Sequence, residues 1–463
     1  MKVRDYLLAD VLVIGGGVAG CRAAIEATEY AASVLLVDPD RLGKSPAGLS
    51  AAPIFAAAYP HLIPADTWQQ HARDSLLYGE ELGDPQLAAI LARDALRNAW
   101  ELERYGYPWA RSVDGRLDPQ EAPGHHFRRI LHASSEGPFE TPEQALAGQV
   151  RSHVGVQVME GVTITNLLQQ QGRVVGAVGF EAETGDLYGL TAGSTVLASG
   201  GMGSLFSLTA QRGSGMGMAY RLGAELLGPE LQFAPSGGPS ITSLGGLRID
   251  DGCRTTLPGL YAAGEITGGI HGRRLLPGNA LAEEMVFGAL AGREAVLARR
   301  PLPRIKEEGV KEEISRLQKF TKGAGRRGSL ELTLDELHEK LVSVLTAAVE
   351  DPAGINAATW SEWENYGPGW FRELRRSPGA LSSTDLLQWV EMDSLLELAV
   401  VVLKAAQLRL EKESSYGHTG GPAPLDPEKF NVLARRTPEG PSLTILPVQS
   451  SLSDLRLAVP THA

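Results

Sequence analysis

Two groups of reactive residues stand next to each other past the middle of the chain. His271, Arg273 and Arg274 combine an imidazole with two guanidinium groups, a set suited to holding an anion or moving a proton. A Pro-Gly-Asn sequence at 277–279 follows, and residues 281–292 are apolar and alanine-rich. This pattern predicts a helix whose first N–H groups and positive dipole end stabilise negative charge. The segment therefore indicates a site for a small anion or an electron-rich redox group.

A glycine-rich turn near the amino terminus is suited to position such a ligand. Residues 10–14 are apolar like a buried parallel strand, and the sequence Gly-Gly-Gly-Val-Ala-Gly then leads into residues of helical composition. In this pattern Gly15 permits a tight turn, Gly17 lets the backbone approach a pyrophosphate, and Gly20 lets the helix pack on the strand. A second apolar strand ends at Asp38, whose carboxylate can accept hydrogen bonds from a ribose. We predict a dinucleotide site; the alternative is a glycine turn without a ligand.

Later segments predict the rest of a sheet. Residues 172–180 and 189–199 have the composition of strands in a meander, with a Thr-Gly turn at 184–185 between them. A further strand in 259–265 also stops at glycine. The expected fold class is α/β, with a Rossmann-like parallel sheet of the FAD/NAD(P)-binding type, a β-meander and helices towards the carboxyl terminus.

These motifs, in this order, resemble one family of proteins over most of the chain. The family comprises the flavoprotein subunits of succinate dehydrogenase and fumarate reductase, together with L-aspartate oxidase and adenylylsulfate reductase. The resemblance implies bound FAD. The matching segments are Gly15–Gly20, Leu197–Gly201, the helix start in Gly213–Gly223, Gln232-Phe233, Leu257–Glu265, His271-Gly272 and Gly278–Leu281.

The resemblance also implies which residues touch the flavin. In the family, the segment like 278–281 begins a helix that points at the pyrimidine edge of the flavin, and Glu265 is expected beside the ribityl chain. For Asn279, an ordinary helix cap is the alternative. The cofactor-binding residues expected on this basis, in addition to the fingerprint glycines and Asp38, are Val162, Ala198, Gly200, Gly264, Glu265, Asn279, Ala280 and Leu281.

One loop predicts how the cofactor is attached. Ser45 and Gly48 lie in a segment that resembles the family loop whose serine contacts a phosphate. Family members that bind FAD covalently use a histidine of this loop, and the chain has none between Arg41 and Tyr59. We therefore expect noncovalent FAD.

The chain departs from the family at the substrate site. Dicarboxylate-specific members carry a capping domain between the segments like 232–236 and 245–247, and here only the eight residues 237–244 fill that gap. The family sequence Gln-Phe-His-Pro-Thr reads Gln-Phe-Ala-Pro-Ser in 232–236. Because a buried dicarboxylate without these partners would remain uncompensated, the losses argue against succinate, fumarate or aspartate.

The catalytic candidates are the three reactive side chains of the first segment. The family arginine that binds the substrate carboxylate aligns with Leu275, and Arg273 and Arg274 occupy the two preceding positions. Arg274 is a possible replacement for the missing arginine, unless it points to the other side of the loop. His271 is retained, either to contact the substrate or flavin or only to order the loop.

Composition limits the protein class and its partners. The 463 residues carry a formal net charge of −12, which argues against a nucleic-acid surface. The sequence shows neither a transmembrane run nor a secretory leader, so we expect a cytoplasmic protein. Its two cysteines cannot form a disulfide framework or hold an iron–sulfur cluster alone. The resemblance to the family implies a ferredoxin-like iron–sulfur protein as a possible partner, and we expect an oligomer or heteromer.

The chain is expected to divide into an FAD-binding domain, residues 1–300 with a helical excursion at 39–150, a helical domain, 301–415, and an extended tail, 416–463. Within the excursion, residues 124–133 contain three histidines and two arginines, which indicate either a metal site or a basic wall. We predict no metal site. A long helix is predicted over 384–412.

These features favour an FAD-dependent oxidoreductase that moves two electrons between a small substrate and FAD, coupled to an iron–sulfur partner. A dicarboxylate oxidoreductase is one alternative. The other is a component that holds flavin in a larger complex without turnover of its own.

Overall fold

A computed structural model of the chain describes residues 2–30, 32–44, 53–205, 214–233, 242–302, 307–322, 334–350, 383–417 and 429–448. The predicted loop residues Ser45 and Gly48, the Ala-Pro-Ser of 234–236, and Trp360, Trp363 and Trp370 lie outside them.

A seven-stranded sheet organises the described part of the chain. Its parallel strands are β1 (Val3–Ile14), β2 (Val34–Asp38), β5 (Val156–Glu160), β8 (Leu187–Leu197) and β13 (Leu260–Ala262). Two antiparallel strands, β6 (Val162–Gln170) and β7 (Arg173–Glu181), complete the meander with β8. The strand order is β5-β2-β1-β8-β7-β6. This architecture confirms the predicted fold class.

The position of β13 explains where a ligand can lie. β7 pairs with the first half of β8. At the carboxyl end of β8, β13 pairs with Thr195–Leu197 on the same side. The carboxyl ends of β1, β2, β8 and β13 therefore meet at one edge of the sheet. In open α/β sheets this edge is where ligands bind.

Both faces of the parallel strands are covered. Residues 11–13 near the carboxyl end of β1 are fully buried, as expected for parallel strands that are packed on each side. Helix α1 (Val18–Thr28) follows β1 directly and lies against α6 (Asn279–Leu297).

The excursion after β2 contains the helices that support the site. They are α2 (Trp68–Tyr78), α3 (Pro85–Arg104) and α4 (Pro142–Ser152), and strand β3 (Ile54–Ala56) pairs with β4 (Ile130–His132). Thr67, Asp84 and Thr141 cap the three helices by accepting backbone N–H bonds. Residues 79–84 separate α2 from α3.

A smaller sheet joins the middle of the chain to the tail. Its five strands run in the order β14 (Thr267–Gly268), β12 (Gly246–Arg248), β9 (Leu226–Leu227), β15 (Phe430–Thr437) and β16 (Gly440–Pro447). Nearby, β10 (Gln232–Phe233) pairs with β11 (Thr242–Ser243). The tail was expected to be extended, but its described part forms a hairpin of β15 and β16. Buried Phe430, Val432 and Ala434 give β15 an apolar side that packs on the protein.

The described helices of the carboxyl-terminal region pack on this core. They are α7 (Glu307–Lys322), α8 (Leu334–Glu350) and α9 (Ser383–Gly417). A short helix, α5 (Ser214–Arg221), lies earlier in the chain. Helix α9 matches the prediction over 384–412 and extends it at its end. Apolar side chains of α8 and α9 belong to the same buried cluster as those of β1 and β8. The division of the chain at residues 300 and 415 stays a prediction.

Candidate functional site

The glycines of the turn after β1 have different structural roles. Gly15 has φ +105°, and a Cβ there would lie 2.2 Å from the Ala198 carbonyl oxygen. At Gly20 a Cβ would lie 1.8 Å from the Gly15 oxygen. Gly17 is different, because a Cβ there would meet nothing within 4 Å. It is the N-cap of α1 and provides no side-chain cap, so open space lies before the first N–H groups of the helix.

A cavity of about 320 Å³ lies at this turn, at the carboxyl ends of the parallel strands. It brings together residues from distant parts of the chain. Eight of the residues predicted to bind the cofactor line it: Gly15, Gly17, Asp38, Val162, Ala198, Gly200, Gly264 and Glu265.

Asp38 is fixed at the edge of the cavity. One carboxylate oxygen accepts the Gly16 N–H at 2.5 Å, and the other accepts the Asp40 N–H at 2.7 Å. A carboxylate held in this position can accept hydrogen bonds from ribose hydroxyls. The predicted role of Asp38 therefore fits this geometry.

Two polar atoms of the cavity lining also fit a polar ligand. Ser199 Oγ and Glu143 Oε2 are buried and have no hydrogen-bond partner among the described residues. Buried polar atoms normally have a partner. An adenine dinucleotide could supply partners here, while the N–H groups of α1 face its pyrophosphate.

Glu265 lies at the inner end of the cavity. Its carboxylate accepts the Ser243 N–H at 2.8 Å. Burial raises the pKa of Glu265 to about 7, although hydrogen bonds from backbone N–H groups act in the opposite direction. The side chain predicted beside the ribityl chain is therefore partly protonated near pH 7.

The amino end of α6 differs from the sequence prediction in one respect. Gly278, with φ +81°, is the N-cap, so Asn279 is not the ordinary cap considered as its alternative role. The Asn279 side chain is fully buried and points to α2, where its Oδ1 lies 2.8 Å from His71 Nε2 and its Nδ2 donates to Ser75 Oγ at 2.9 Å. Asn279, Ala280 and Leu281 do not line the cavity. Their contact with the flavin stays a prediction.

The histidine- and arginine-rich segment builds a buried polar network, which the sequence did not reveal. Arg129 is fully buried and donates to Asp66 Oδ1 at 2.6 Å and Asp74 Oδ2 at 2.5 Å. His125 Nε2 lies 2.9 Å from the Pro277 carbonyl oxygen, and His125 Nδ1 lies 3.2 Å from Arg129 Nη1. The network therefore ties α2 to the start of α6.

Two histidines of this network are held neutral. Burial, followed by the positive charge of Arg129, lowers the pKa of His71 to about 3. Burial also lowers the pKa of His125 to about 4. Since the Pro277 oxygen can only accept, His125 donates through Nε2 and accepts the Arg129 N–H through Nδ1.

His271 belongs to a buried pair. Its Nε2 lies 2.6 Å from Glu283 Oε2, and Thr267 donates its hydroxyl to Glu283 Oε1 at 3.1 Å. Both side chains are 6% exposed. His271 Nδ1 has no partner among the described residues and is the free nitrogen of the pair. The pair does not line the cavity, but Glu283 is close enough to Glu265 to influence its pKa.

The two arginines do not join His271. Arg273 contacts Glu80 at 3.3 Å and Glu413 at 2.6 Å, and Arg274 contacts Glu80 at 3.3 Å. The Arg274 side chain is 59% exposed. The possible replacement of the missing family arginine by Arg274 is therefore not seen, because Glu80, in the turn between α2 and α3, holds its guanidinium at the surface.

Within the described ranges, no group of three His, Cys, Asp or Glu residues is arranged to hold a metal ion. None of the described helices combines the length and apolarity needed to cross a membrane.

The fold and the cavity define a flavin-binding oxidoreductase. The family model of the FAD binding domain matches residues 10–243 and 237–281, and the chain belongs to this family. It is an FAD-dependent oxidoreductase of the fumarate reductase and succinate dehydrogenase flavoprotein type. The two matched ranges meet at 237–243, the position where the capping domain is missing.

Curated relatives include several oxidoreductases. One component of the fumarate reductase (CoM/CoB) of Methanothermobacter marburgensis is 26% identical over 541 aligned positions, which cover 93% of this chain and 97% of the relative. That alignment is longer than the chain, so the relative has segments without counterpart here. The L-aspartate oxidase of Mesorhizobium japonicum is 33% identical over 230 positions, covering 49% of this chain and 44% of the relative.

Solved structures support the fold. Mycobacterium smegmatis Sdh1 has a TM-score of 0.80 at 21% identity, with 97% of this chain and 95% of that chain covered. Adenylylsulfate reductase from Archaeoglobus fulgidus has a TM-score of 0.79 at 17% identity, with 97% and 98% covered. At these identities the likeness concerns the fold alone.

Proposed function

We propose that this chain binds FAD noncovalently and moves two electrons between a small substrate and the flavin, with an iron–sulfur protein as electron partner. The single observation that carries the proposal is the cavity at the carboxyl ends of the parallel strands, where open space faces Gly17 and the start of α1. FAD, when bound, supplies hydride and single-electron chemistry.

The protein's own part in this proposal is to hold the flavin and to manage a proton. Glu283 orients His271 through Nε2, which leaves Nδ1 as the atom that can hold or release a proton. Arg273 and Arg274 form ion pairs with Glu80 and Glu413, and these contacts hold the loop that carries His271 in place. In this proposal both arginines are therefore positioning residues.

The substrate in this proposal is not a dicarboxylate. Three features remove contacts that a second substrate carboxylate would need. The capping domain is missing, and Ala234 replaces the family histidine. Arg273 and Arg274 are already paired with carboxylates of the protein. The competing candidate, fumarate chemistry, draws support from the name of the Methanothermobacter relative, which aligns with 93% of this chain.

Anaerobic reduction of the purified protein tests the proposal. We expect a yellow protein whose flavin leaves with the supernatant after acid precipitation, because no covalent bond holds it. We also expect that succinate and aspartate do not bleach the oxidised flavin band, and that an iron-bearing protein co-purifies from the native host. Bound flavin that no donor or protein partner reduces would instead support the flavin-holding component without turnover.

A variant of His271 tests the proton role. His271→Gln keeps a donor for Glu283 and removes the basic nitrogen. With the donor identified by the reduction assay, we expect the rate of flavin reduction to fall by about 100-fold, as for loss of a general acid or base, with FAD binding unchanged. His61→Gln, at an exposed position, is the matched control. Equal reduction rates in both variants would mean that His271 only orders the loop and does not transfer a proton.

A further inference from the structure

The cavity of the proposed FAD site has an acidic lining although its ligand is an anion. FAD carries a pyrophosphate with negative charge, yet the cavity lining holds five carboxylate residues and a single guanidinium. The charged lining residues are Asp38, Asp40, Arg41, Glu143, Glu265 and Glu284. Asp40 and Arg41 are exposed at the rim, whereas the three glutamates line the interior.

Glu284 is the glutamate placed beside the expected pyrophosphate. A Cβ added to Gly264 would lie 3.6 Å from Glu284 Cγ and 2.9 Å from the Ala19 side chain. Glu284 therefore reaches from α6 towards the amino end of α1, where Gly17 leaves open space. This side chain is half-buried and lines the cavity.

The charged groups around Glu284 do not offset its charge. Glu143 faces it from α4, Glu265 from the end of β13, and Glu283 from its own helix. On the neighbouring α1, Arg22 pairs with Glu26 at 2.7 Å. His271 is engaged by Glu283.

The surrounding acids and burial act in the same direction on protonation. Burial, and then the charges of Glu143, Glu283 and Glu265, hold the pKa of Glu284 well above its ordinary value. A nearby pyrophosphate adds a further negative charge, which also favours the neutral form of Glu284.

We propose that FAD binding by this chain is coupled to the uptake of one proton by Glu284, whose neutral carboxyl donates to the pyrophosphate while its ionised form repels it. A protonated carboxyl has one O–H donor, and an ionised carboxylate can only accept. The inference rests on the noncovalent FAD of the proposed function, because only exchangeable FAD has a measurable binding equilibrium. It makes the FAD content of the protein depend on pH.

Binding of FAD to the apoprotein tests the inference through flavin fluorescence. At pH values above the pKa of Glu284 in the apoprotein, where its carboxyl group is ionised before FAD binds, we expect Kd to rise by about tenfold per pH unit, the slope for one coupled proton. At these pH values, titration calorimetry in buffers of different ionisation enthalpy should show uptake of about one proton per FAD. In Glu284→Gln, Kd should stay constant over the same range and be at least about tenfold lower than the wild-type value at alkaline pH.

Matched variants and a second ligand assign the proton. Glu307→Gln, at an exposed residue of α7, should keep the wild-type slope. If Glu265→Gln abolishes the slope and Glu284→Gln keeps it, the inference is wrong, because Glu265 is then the coupled acid. Riboflavin lacks the pyrophosphate, so its binding should be independent of pH. A wild-type FAD affinity that is constant over this range also overturns the inference, whereas no FAD binding at any pH overturns the proposed function itself.

Discussion

At the scale of single residues, the first glycine turn separates structural from ligand-binding positions. Gly17→Ala adds a methyl group to open space at φ −70°, where alanine is not strained. We therefore expect the apoprotein to keep its melting temperature while FAD affinity falls by at least about tenfold, since the methyl takes the place of a pyrophosphate oxygen. Differential scanning fluorimetry and flavin fluorescence measure the two effects.

Gly15→Ala should behave in the opposite way. Its φ of +105° and the 2.2 Å approach to the Ala198 oxygen make any side chain unfavourable. We expect a loss of at least about 2 kcal/mol in the free energy of unfolding of the apoprotein. Gly115→Ala, at φ +80° in a turn away from the cavity, should lose stability but retain FAD affinity. If Gly17→Ala binds FAD as the wild type does, the pyrophosphate does not lie at this turn.

Sequence spacing revealed these glycines because a tight turn before a helix constrains consecutive residues. It did not reveal the partner of Asn279. His71 lies 208 positions away, and no local pattern joins them. The arginines show the same limit, because Glu413 and Glu80 reach Arg273 only through the packing of α9 and of the turn between α2 and α3.

At the scale of elements, the buried network holds α2 against the start of α6. Its two histidines give this junction a pH dependence. In the unfolded chain they titrate near pH 6.5, whereas the folded pKa of His71 is about 3 and that of His125 about 4. Below pH 6.5 the unfolded state therefore binds protons that the folded state does not. Stability is full above pH 6.5 and is lost as pH falls towards these folded pKa values.

Urea unfolding at neutral and mildly acidic pH measures this loss. We expect about 1.4 kcal/mol per pH unit for each histidine below pH 6.5. His71→Gln keeps a donor for Asn279 Oδ1 and should reduce the slope by its share. His61→Gln should leave the slope unchanged. A slope in His71→Gln equal to that of the wild type would mean that His71 titrates normally in the folded protein.

Periodicity predicted the helices of the excursion and α9 well, since long apolar patterns and capping residues are local. The hairpin of β15 and β16 was missed for a physical reason. The tail is rich in proline and glycine, and the alternation of Phe430, Val432 and Ala434 is short. Pairing with β9 is what gives these residues a core to enter, and that contact is not local.

At the scale of the whole molecule, the missing capping domain is the main difference from dicarboxylate-specific flavoproteins. Only the eight residues 234–241 connect β10 to β11. Extended, eight residues span less than about 30 Å, and they cannot build a separate core. We therefore expect the isolated chain to leave one face of the flavin open, and the covering surface to come from the iron–sulfur partner.

Oxygen reactivity tests this expectation, because a closed site excludes water and side reactions. In the isolated chain, photoreduced flavin should be reoxidised by oxygen at a rate within about tenfold of that of free reduced FAD. Acrylamide should quench the flavin fluorescence of the isolated chain efficiently, and both effects should diminish in the complex with the co-purifying partner. If reoxidation of the isolated chain is far slower than this and independent of protein concentration, the chain covers its own flavin. If protection increases with protein concentration, a second copy provides the cover.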